Sequence, residues 1–366
     1  MKTVAVFGST GSIGVQTLSV VRRFPKDYKI IALTAGNNVT LLKEQIREFS
    51  PDYVGANEKF SSGAKYEYFS DLSSLANDCD ADIYVVAISG ISALPPLINI
   101  IKKGKRIALA NKEAIVCAGD LIMNMASQYG SEIIPVDSEH SAVFQCLMLG
   151  NKDVSRIILT ASGGPFFSSD INLHDITPEQ ALKHPTWNMG KKISIDSATM
   201  VNKGLEIIEA RRLFGEKQVD YIIHPESVIH SMVEYDDGST VALMSYPNMT
   251  LAIQYALTYP DRIDNPFVKS FDFKKPLTFF EPDEKRFPAP RIAKQCLDIG
   301  GNAPAIYSMA DEVAVELFLS NKIKFTDICG IIEEALSINE IETNFDYEYL
   351  LALNKNITNY FRRKYS

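Results

Sequence analysis

Residues 3–14 read TVAVFGSTGSIG. A short β-type run meets glycines at 8, 11 and 14, and from Ser12 to Arg23 the apolar residues then recur at helical spacing. A strand that turns through glycines into a helix N-terminus suits a dinucleotide. Glycine allows a tight turn and lets the backbone approach a pyrophosphate, while the helix start presents N–H groups and a partial positive charge. Thr10 and Ser12 add hydroxyls, and Gly11 and Ile13 complete the turn. Three glycines also make a tight turn with no ligand, but their place after the first strand points to the nucleotide.

Further along, KIIALTA, DIYVVAI, KRIALA and SEIIPV alternate with helix-like stretches as far as residue 136. That rhythm predicts an α/β, Rossmann-like doubly wound parallel sheet over residues 1–136. Residues 137–263 read as an α+β domain with an antiparallel sheet, because Asp236-Asp237-Gly238 separates two alternating runs and reads as a hairpin turn. Residues 264–289 are rich in proline and phenylalanine and form an ordered linker laid over a surface. Four helix-spaced stretches in 290–366 predict a C-terminal α-helical bundle.

The 366 residues carry a net charge of −8, with 46% hydrophobic and 22% charged residues, which excludes disorder and gives no basic footprint for nucleic acid. No apolar run approaches the roughly 18 residues of a membrane span. MKTVAVFG is unlike a secretory signal, and the five scattered cysteines form no C-x-x-C pair, so a cytoplasmic protein acting on a small molecule is expected.

Several stretches carry candidate chemistry. In PVDSEHSAVF (135–144), Asp137 and Glu139 read as two carboxylates leaving the end of a strand on one face, where a divalent metal, a basic side chain or solvent would relieve their repulsion. In ALANKEA (108–114), Asn111, Lys112 and Glu113 stand at a carboxyl strand end, where open α/β sheets bind ligands; a solvated Lys112–Glu113 pair is the plainer reading. In WNMGKKISIDSATMVNKGLEIIEA (187–210), Ser197 and Thr199 open a predicted helix running to about Leu213. Asn202 and Glu206 are then i and i+4, and Lys203 and Glu206 i and i+3, so they share one face. Hydroxyls, an amide and a lysine at a helix start suit a phosphate; an exposed helix with one Lys–Glu pair is the alternative. Were Glu206 to meet Asp137 and Glu139, three carboxylates would suit Mg²⁺ or Mn²⁺ rather than zinc. Ser162-Gly163-Gly164 after an apolar strand reads as an anion-binding turn or a plain bend, and His184, Trp187 and Met189 read equally as a loop able to close over a site or as a core tryptophan with a surface histidine. The second strand ends at Gly36-Asn37-Asn38 without the acid that takes an NAD ribose, which tilts the cofactor towards NADP.

GSTGSIG, ALANKE, VDSEHSA and DSATMVNKGLE, in that order and with ASGGPF and HPTWNMG, resemble the 1-deoxy-D-xylulose 5-phosphate reductoisomerase family along nearly the whole chain. The resemblance implies a homodimeric, NADPH- and divalent-metal-dependent enzyme of the non-mevalonate isoprenoid pathway, with 1–136 binding NADPH and 137–263 carrying metal, substrate and catalysis. Asp137, Glu139 and Glu206 would hold the metal and, with Lys112, form the catalytic set. Lys112, Ser138, Glu139, Ser162, His184, Ser197, Asn202, Lys203 and Glu206 would contact the phosphosugar. Thr10 to Ile13, Gly36 to Asn38, Asn111, Glu113 and Gly190 would contact the cofactor, with Trp187 and Met189 in a lid; Asn37 replaces a residue that is commonly basic. The competing expectation is a metal-free NADP-dependent semialdehyde or hydroxy-acid dehydrogenase, which shares the glycine turn but has no need of three acids.

Overall fold

The computed structural model describes residues 1–60, 62–150, 153–183 and 190–366, and the chain divides into two compact units. Residues 1–114, 120–141 and 248–269 form the first; 115–119, 142–247 and 270–366 form the second.

The first unit is built on seven parallel strands: β1 (Lys2–Phe7), β2 (Tyr28–Ala35), β3 (Tyr53–Ala56), β4 (Glu67–Phe69), β5 (Ile83–Val86), β6 (Arg106–Leu109) and β7 (Glu132–Pro135). Their order is β4-β3-β2-β1-β5-β6-β7. Helices α1 (Ser12–Arg23), α2 (Val39–Phe49), α3 (Leu72–Asp78), α4 (Leu94–Ile101) and α5 (Lys112–Tyr129) link them, and α6 (Ser138–Leu147) follows β7. Parallel strands are covered on both faces, which is why Val4–Phe7 and Ile83–Val86 are apolar and buried without alternation. Each such buried aliphatic side chain contributes roughly 1.5–3 kcal/mol. Strand order reverses between β1 and β5, so the residues after β1, β2, β5, β6 and β7 lie along the carboxyl edge where such sheets take ligands.

Two features of this unit depart from the sequence reading. Strands β3 and β4, four and three residues long, are too short to show a period. The helix Met249–Thr258, grouped by sequence with residues 137–263, packs instead on α1, β6 and β7. Its Ala252, Ile253, Ala256 and Leu257 are buried, and the Leu257 carbonyl accepts from the Tyr28 hydroxyl and from Arg106 Nη1, each at 3.3 Å.

The second unit contains a four-stranded sheet of β8 (Val154–Ala161), β9 (Gln218–Ile223), β10 (Ile229–Tyr235) and β11 (Thr240–Met244), in the order β11-β10-β8-β9. The hairpin turn is present, with Gly238 at φ +83°, but the sheet is mixed rather than antiparallel: β9 runs parallel to β8. Helix α9 makes the crossover that a parallel pair requires. The helices are α7 (Pro178–Ala181), α8 (Lys191–Ala198), α9 (Val201–Phe214), then Met249–Thr258 as α10 in the first unit, and α11 (Ala289–Ile299), α12 (Ala303–Leu319), α13 (Asp327–Ile338) and α14 (Tyr347–Lys364). The last four form the expected bundle. Helix α12 is buried nearly all round and sits at its centre, touching α11, α13 and α14 as well as α8 and α9. Ahead of the bundle, Phe280 exchanges two backbone hydrogen bonds with Ile223, at 2.9 and 3.0 Å, pinning the end of the linker to β9. Among the described residues, no helix is long and apolar enough to cross a membrane.

Candidate active site

The glycine turn shows why each glycine is there. Gly8 has φ +90°, and a β-carbon on it would lie 2.5 Å from the Ala87 carbonyl oxygen. At Gly14 a β-carbon would lie 2.3 Å from the Gly8 carbonyl oxygen, so α1 packs against the turn only without one. Gly11 is different. Its φ of −77° suits any residue, and the nearest atom to an added β-carbon is Gly8 O at an ordinary 3.4 Å. Neither backbone nor packing therefore demands glycine at 11, where a nucleotide-binding turn keeps the backbone bare for the pyrophosphate. Ser9, fully buried, donates to the Thr34 carbonyl at 3.0 Å and to Gln45 Oε1 at 2.7 Å, bracing the turn against β2. Thr10 is half-buried, while Gly11 and Ser12 are exposed at the helix start.

After β2, Gly36, Asn37 and Asn38 are exposed at the same sheet edge. The Asn38 side chain caps α2 by accepting from the Leu41 N–H at 3.2 Å, and Asn37 Oδ1 accepts from Asn57 Nδ2 at 3.2 Å. After β6, Asn111 caps α5, accepting from the Ala114 N–H at 2.8 Å. Its amide nitrogen reaches the carbonyls of Ile88 at 2.8 Å and Gly90 at 3.0 Å, and Glu113 Oε2 at 3.0 Å. Asn111 thus ties the loop after β5 to the start of α5, a positioning job the sequence did not reveal.

Lys112 does not pair with Glu113 in solvent. It is buried, with Nζ 2.7 Å from Asp137 Oδ2. Asp137 and Glu139 also differ from the expected strand pair: β7 stops at Pro135, Asp137 directly precedes α6, and Glu139 lies in the helix's first turn. The Asp137 carbonyl accepts the first intrahelical bond, from the Ser141 N–H at 2.7 Å. A helix N-terminus favours carboxylates, which lets the two acids stand close, with one oxygen of each within 4.8 Å of the other. Ser138 Oγ donates to Glu139 Oε2. Burial alone would raise the Asp137 carboxyl; Lys112, with buried His140 3.8 Å away, overrides that and holds it well below the usual carboxylate range.

In the second unit the helix expected to open at Ser197 and Thr199 begins a little later, at Val201. A separate helix α8 ends at Ala198 and Met200 adopts φ +63°, so Ser197 lies in the last turn of α8, while Thr199 caps its end and its Oγ1 also accepts from the Val201 N–H at 3.4 Å. Asn202, Lys203 and Glu206 then occupy the first two turns of α9 with the expected spacing. Asn202 Nδ2 donates to Glu206 Oε1 at 2.5 Å, and Lys203 Nζ donates to Glu206 Oε2 and to the Thr160 carbonyl. The face is no solvated one: Lys203 and Glu206 are buried. The turn after β8 docks on the same junction. Gly164, at φ +67°, lies so close that a β-carbon would be 2.7 Å from the Ser197 carbonyl oxygen, and Ser162 Oγ accepts from the Gly164 N–H at 3.3 Å. Ser162, Ser197, Asn202 and Lys203 are thereby gathered at one helix break. Gly190 precedes α8 and is exposed; His184, Trp187 and Met189 lie outside the described residues.

One group here went unnoticed in the sequence. Lys192 Nζ lies 2.5 Å from Asp196 Oδ2 and 2.6 Å from Asp311 Oδ2 on α12. The signal was available: Lys192 and Asp196 are i and i+4, and Asp311 is an acid on an otherwise apolar helix face.

Sequence models of the 1-deoxy-D-xylulose 5-phosphate reductoisomerase family match residues 4–119 and 133–214, the latter as its C-terminal domain, and a further DXP reductoisomerase C-terminal domain matches 244–360. Relatives bearing the reductoisomerase name include one from Desulfitobacterium hafniense, 46% identical over 365 residues and 96% of each chain. Another, from Caldanaerobacter subterraneus subsp. tengcongensis, is 46% identical over 380 residues and the whole of both chains. Among solved structures, a DOX-P reductoisomerase in complex with NADPH, fosmidomycin and magnesium superposes with a TM-score of 0.94 at 36% identity, covering 100% of this chain and 98% of that one. The Zymomonas mobilis reductoisomerase in complex with NADPH gives 0.90 at 40% identity, over 98% and 97% of the chains.

Proposed function

The chain belongs to the 1-deoxy-D-xylulose 5-phosphate reductoisomerase family, and from that premise we propose which of its residues carry the reaction. The enzyme rearranges and reduces 1-deoxy-D-xylulose 5-phosphate to 2-C-methyl-D-erythritol 4-phosphate, an isoprenoid precursor, using NADPH and magnesium. The metal-free dehydrogenase alternative is not favoured, because the match to reductoisomerases runs the length of the chain.

Thr10, Gly11, Ser12 and Ile13, Gly36, Asn37 and Asn38, Asn111, Glu113 and Gly190 would hold NADPH, with the glycine turn suited to its pyrophosphate. The bare Gly11 backbone is the feature that fits it. Asp137, Glu139 and Glu206 would hold the divalent cation, Mn²⁺ serving as well as Mg²⁺, since hard carboxylate oxygens suit both. When bound, the cation supplies a Lewis acid for the ketone oxygen and NADPH the hydride.

The chain's own residues do the rest. Ser162, Ser197, Asn202 and Lys203 would grip the phosphate, fixing the carbon skeleton in one orientation. Ser138 and Lys112 would meet the oxygenated end, where the Lys112 ammonium favours negative charge on oxygen. Lys112 also keeps Asp137 ionised and thus ready to bind a cation. The family's functional division would run as 1–136 for cofactor, 137–263 for catalysis, 264–289 as linker and 290–366 as helical support. Homodimer formation is supported by the exposed aromatics Tyr246, Phe273, Phe279 and Phe280 of the second unit, and a cytoplasmic location by five free thiols.

The observation that carries the residue assignment is the Lys112–Asp137 pair with Glu139 beside it. Purified protein should consume NADPH only when both deoxyxylulose phosphate and Mg²⁺ are present, and Glu206→Gln should abolish the Mg²⁺ dependence together with turnover. Full turnover in excess chelator would end the metal assignment.

A further inference from the structure

Helix α12 reaches the phosphate-gripping junction at two points one turn apart. Tyr307 puts its hydroxyl 3.2 Å from the Ala289 carbonyl and 3.5 Å from that of Val201, the first residue of α9. It fills the space over Gly204, where a β-carbon would lie 2.2 Å from the hydroxyl. Asp311, fully buried and four residues on, holds Lys192 of α8 at 2.6 Å, and Lys192 in turn holds Asp196 at 2.5 Å. Asp196 is bonded directly to Ser197. Between the two anchors the chain passes through Met200 at φ +63°, a conformation that costs a non-glycine residue about 1–3 kcal/mol and persists only where its surroundings hold it.

We propose that Asp311 is a positioning residue for the reaction: through Lys192 and Asp196 it fixes α8 against α12, and so sets Ser197, at the end of α8, relative to Asn202 and Lys203 of α9. This rests on the assignment of those residues to the substrate phosphate. The Lys192 ammonium is engaged between two carboxylates, so its part is geometric, and the phosphate charge is met by Lys203. A donor set displaced by a fraction of an ångström loses phosphate affinity, while the cofactor residues other than Gly190 belong to the first unit and keep their places.

The test compares Asp311→Asn, Lys192→Met, Lys192→Arg and Lys203→Met in the full-length enzyme with Mg²⁺, reading kcat, KM for substrate, KM for NADPH, and competitive inhibition by inorganic phosphate. For Asp311→Asn and Lys192→Met the substrate KM and the phosphate Ki should both rise about tenfold, with kcat and the NADPH KM, which α8 meets only through Gly190, each within about threefold of wild type. Lys192→Arg, which keeps the charge, should recover most of the loss. Wild-type substrate KM and phosphate Ki in both variants, with only a lowered Tm, would overturn the proposal, as would an equal loss of NADPH affinity. Should Asp311→Asn not fold, the partly exposed Lys192 variants decide the matter. A phosphate Ki that responds to Lys203→Met but not to Lys192→Met overturns the clamp alone; a response to Lys192→Met but not Lys203→Met keeps the clamp and removes Lys203 from the pocket.

Discussion

Lys112 Nζ and Asp137 Oδ2 face each other at 2.7 Å, the first residue of α5 against the residue that precedes α6. Burial would raise the Asp137 carboxyl, and Lys112 holds it well below the usual carboxylate range instead. Asp137→Asn removes the carboxylate that faces a buried ammonium at 2.7 Å, which should lower stability by about 3 kcal/mol. Turnover should fall on the order of a hundredfold or more, with a weakened response to Mg²⁺. Thermal melts and a Mg²⁺ titration of activity check this; a variant with ordinary stability and an ordinary Mg²⁺ requirement would remove Asp137 from the metal set.

Gly11 and Gly14 are expected to fail in different ways. Gly11→Ala places its methyl group in space the protein leaves open, so Tm should hold while the NADPH KM rises about tenfold. Gly14→Ala drives a methyl into the Gly8 carbonyl and the Ser9 backbone, 2.3 and 2.5 Å away, and should cost about 2 kcal/mol or more of stability. Equal NADPH KM and unequal Tm would mean that the turn holds no cofactor.

Gly204 and Tyr307 form a steric pair. Gly204→Ala alone should destabilise by about 1–3 kcal/mol through overpacking against the hydroxyl 2.2 Å away. Combining it with Tyr307→Phe removes that oxygen and leaves the nearest ring carbon at 3.0 Å, so the double variant should be more stable than the sum of the singles. Strict additivity in a denaturant double-mutant cycle would show that α12 does not press on α9 there.

Glu226 ties the linker to the β9–β10 loop and gives a pH signature. Burial would raise its carboxyl, but the Thr278 hydroxyl at 2.6 Å, backbone N–H groups and His224 outweigh this and lower it. A depressed folded value means the stabilisation is fully present above the unfolded carboxyl's value of about 4.3 and is lost as pH falls through the lower folded one. Wild type should therefore outlast Glu226→Gln near neutrality, the gap closing as pH drops below about 4. Melting curves across that range with a constant gap would contradict the assignment.

Much of the molecule was legible in its amino acids because the relevant physics is local. The run into Gly8, Gly11 and Gly14 specifies strand, turn and helix within twelve residues; apolar runs specify buried parallel strands; Asp-Asp-Gly specifies a hairpin; and the spacing of Asn202, Lys203 and Glu206 puts their contacts on one helical face wherever that helix goes. What the chain's order alone left open depended on neighbours distant in sequence. That Lys112 pairs with Asp137 rather than Glu113, that Asp311 reaches across to Lys192, that a separate helix α8 and Met200 at positive φ precede α9, and that Met249–Thr258 returns to the first unit were decided only by tertiary packing. A side chain's spacing travels with its own element, but burial, and with it the strength of an ion pair or the tolerance of a strained φ, is conferred by whatever packs on top.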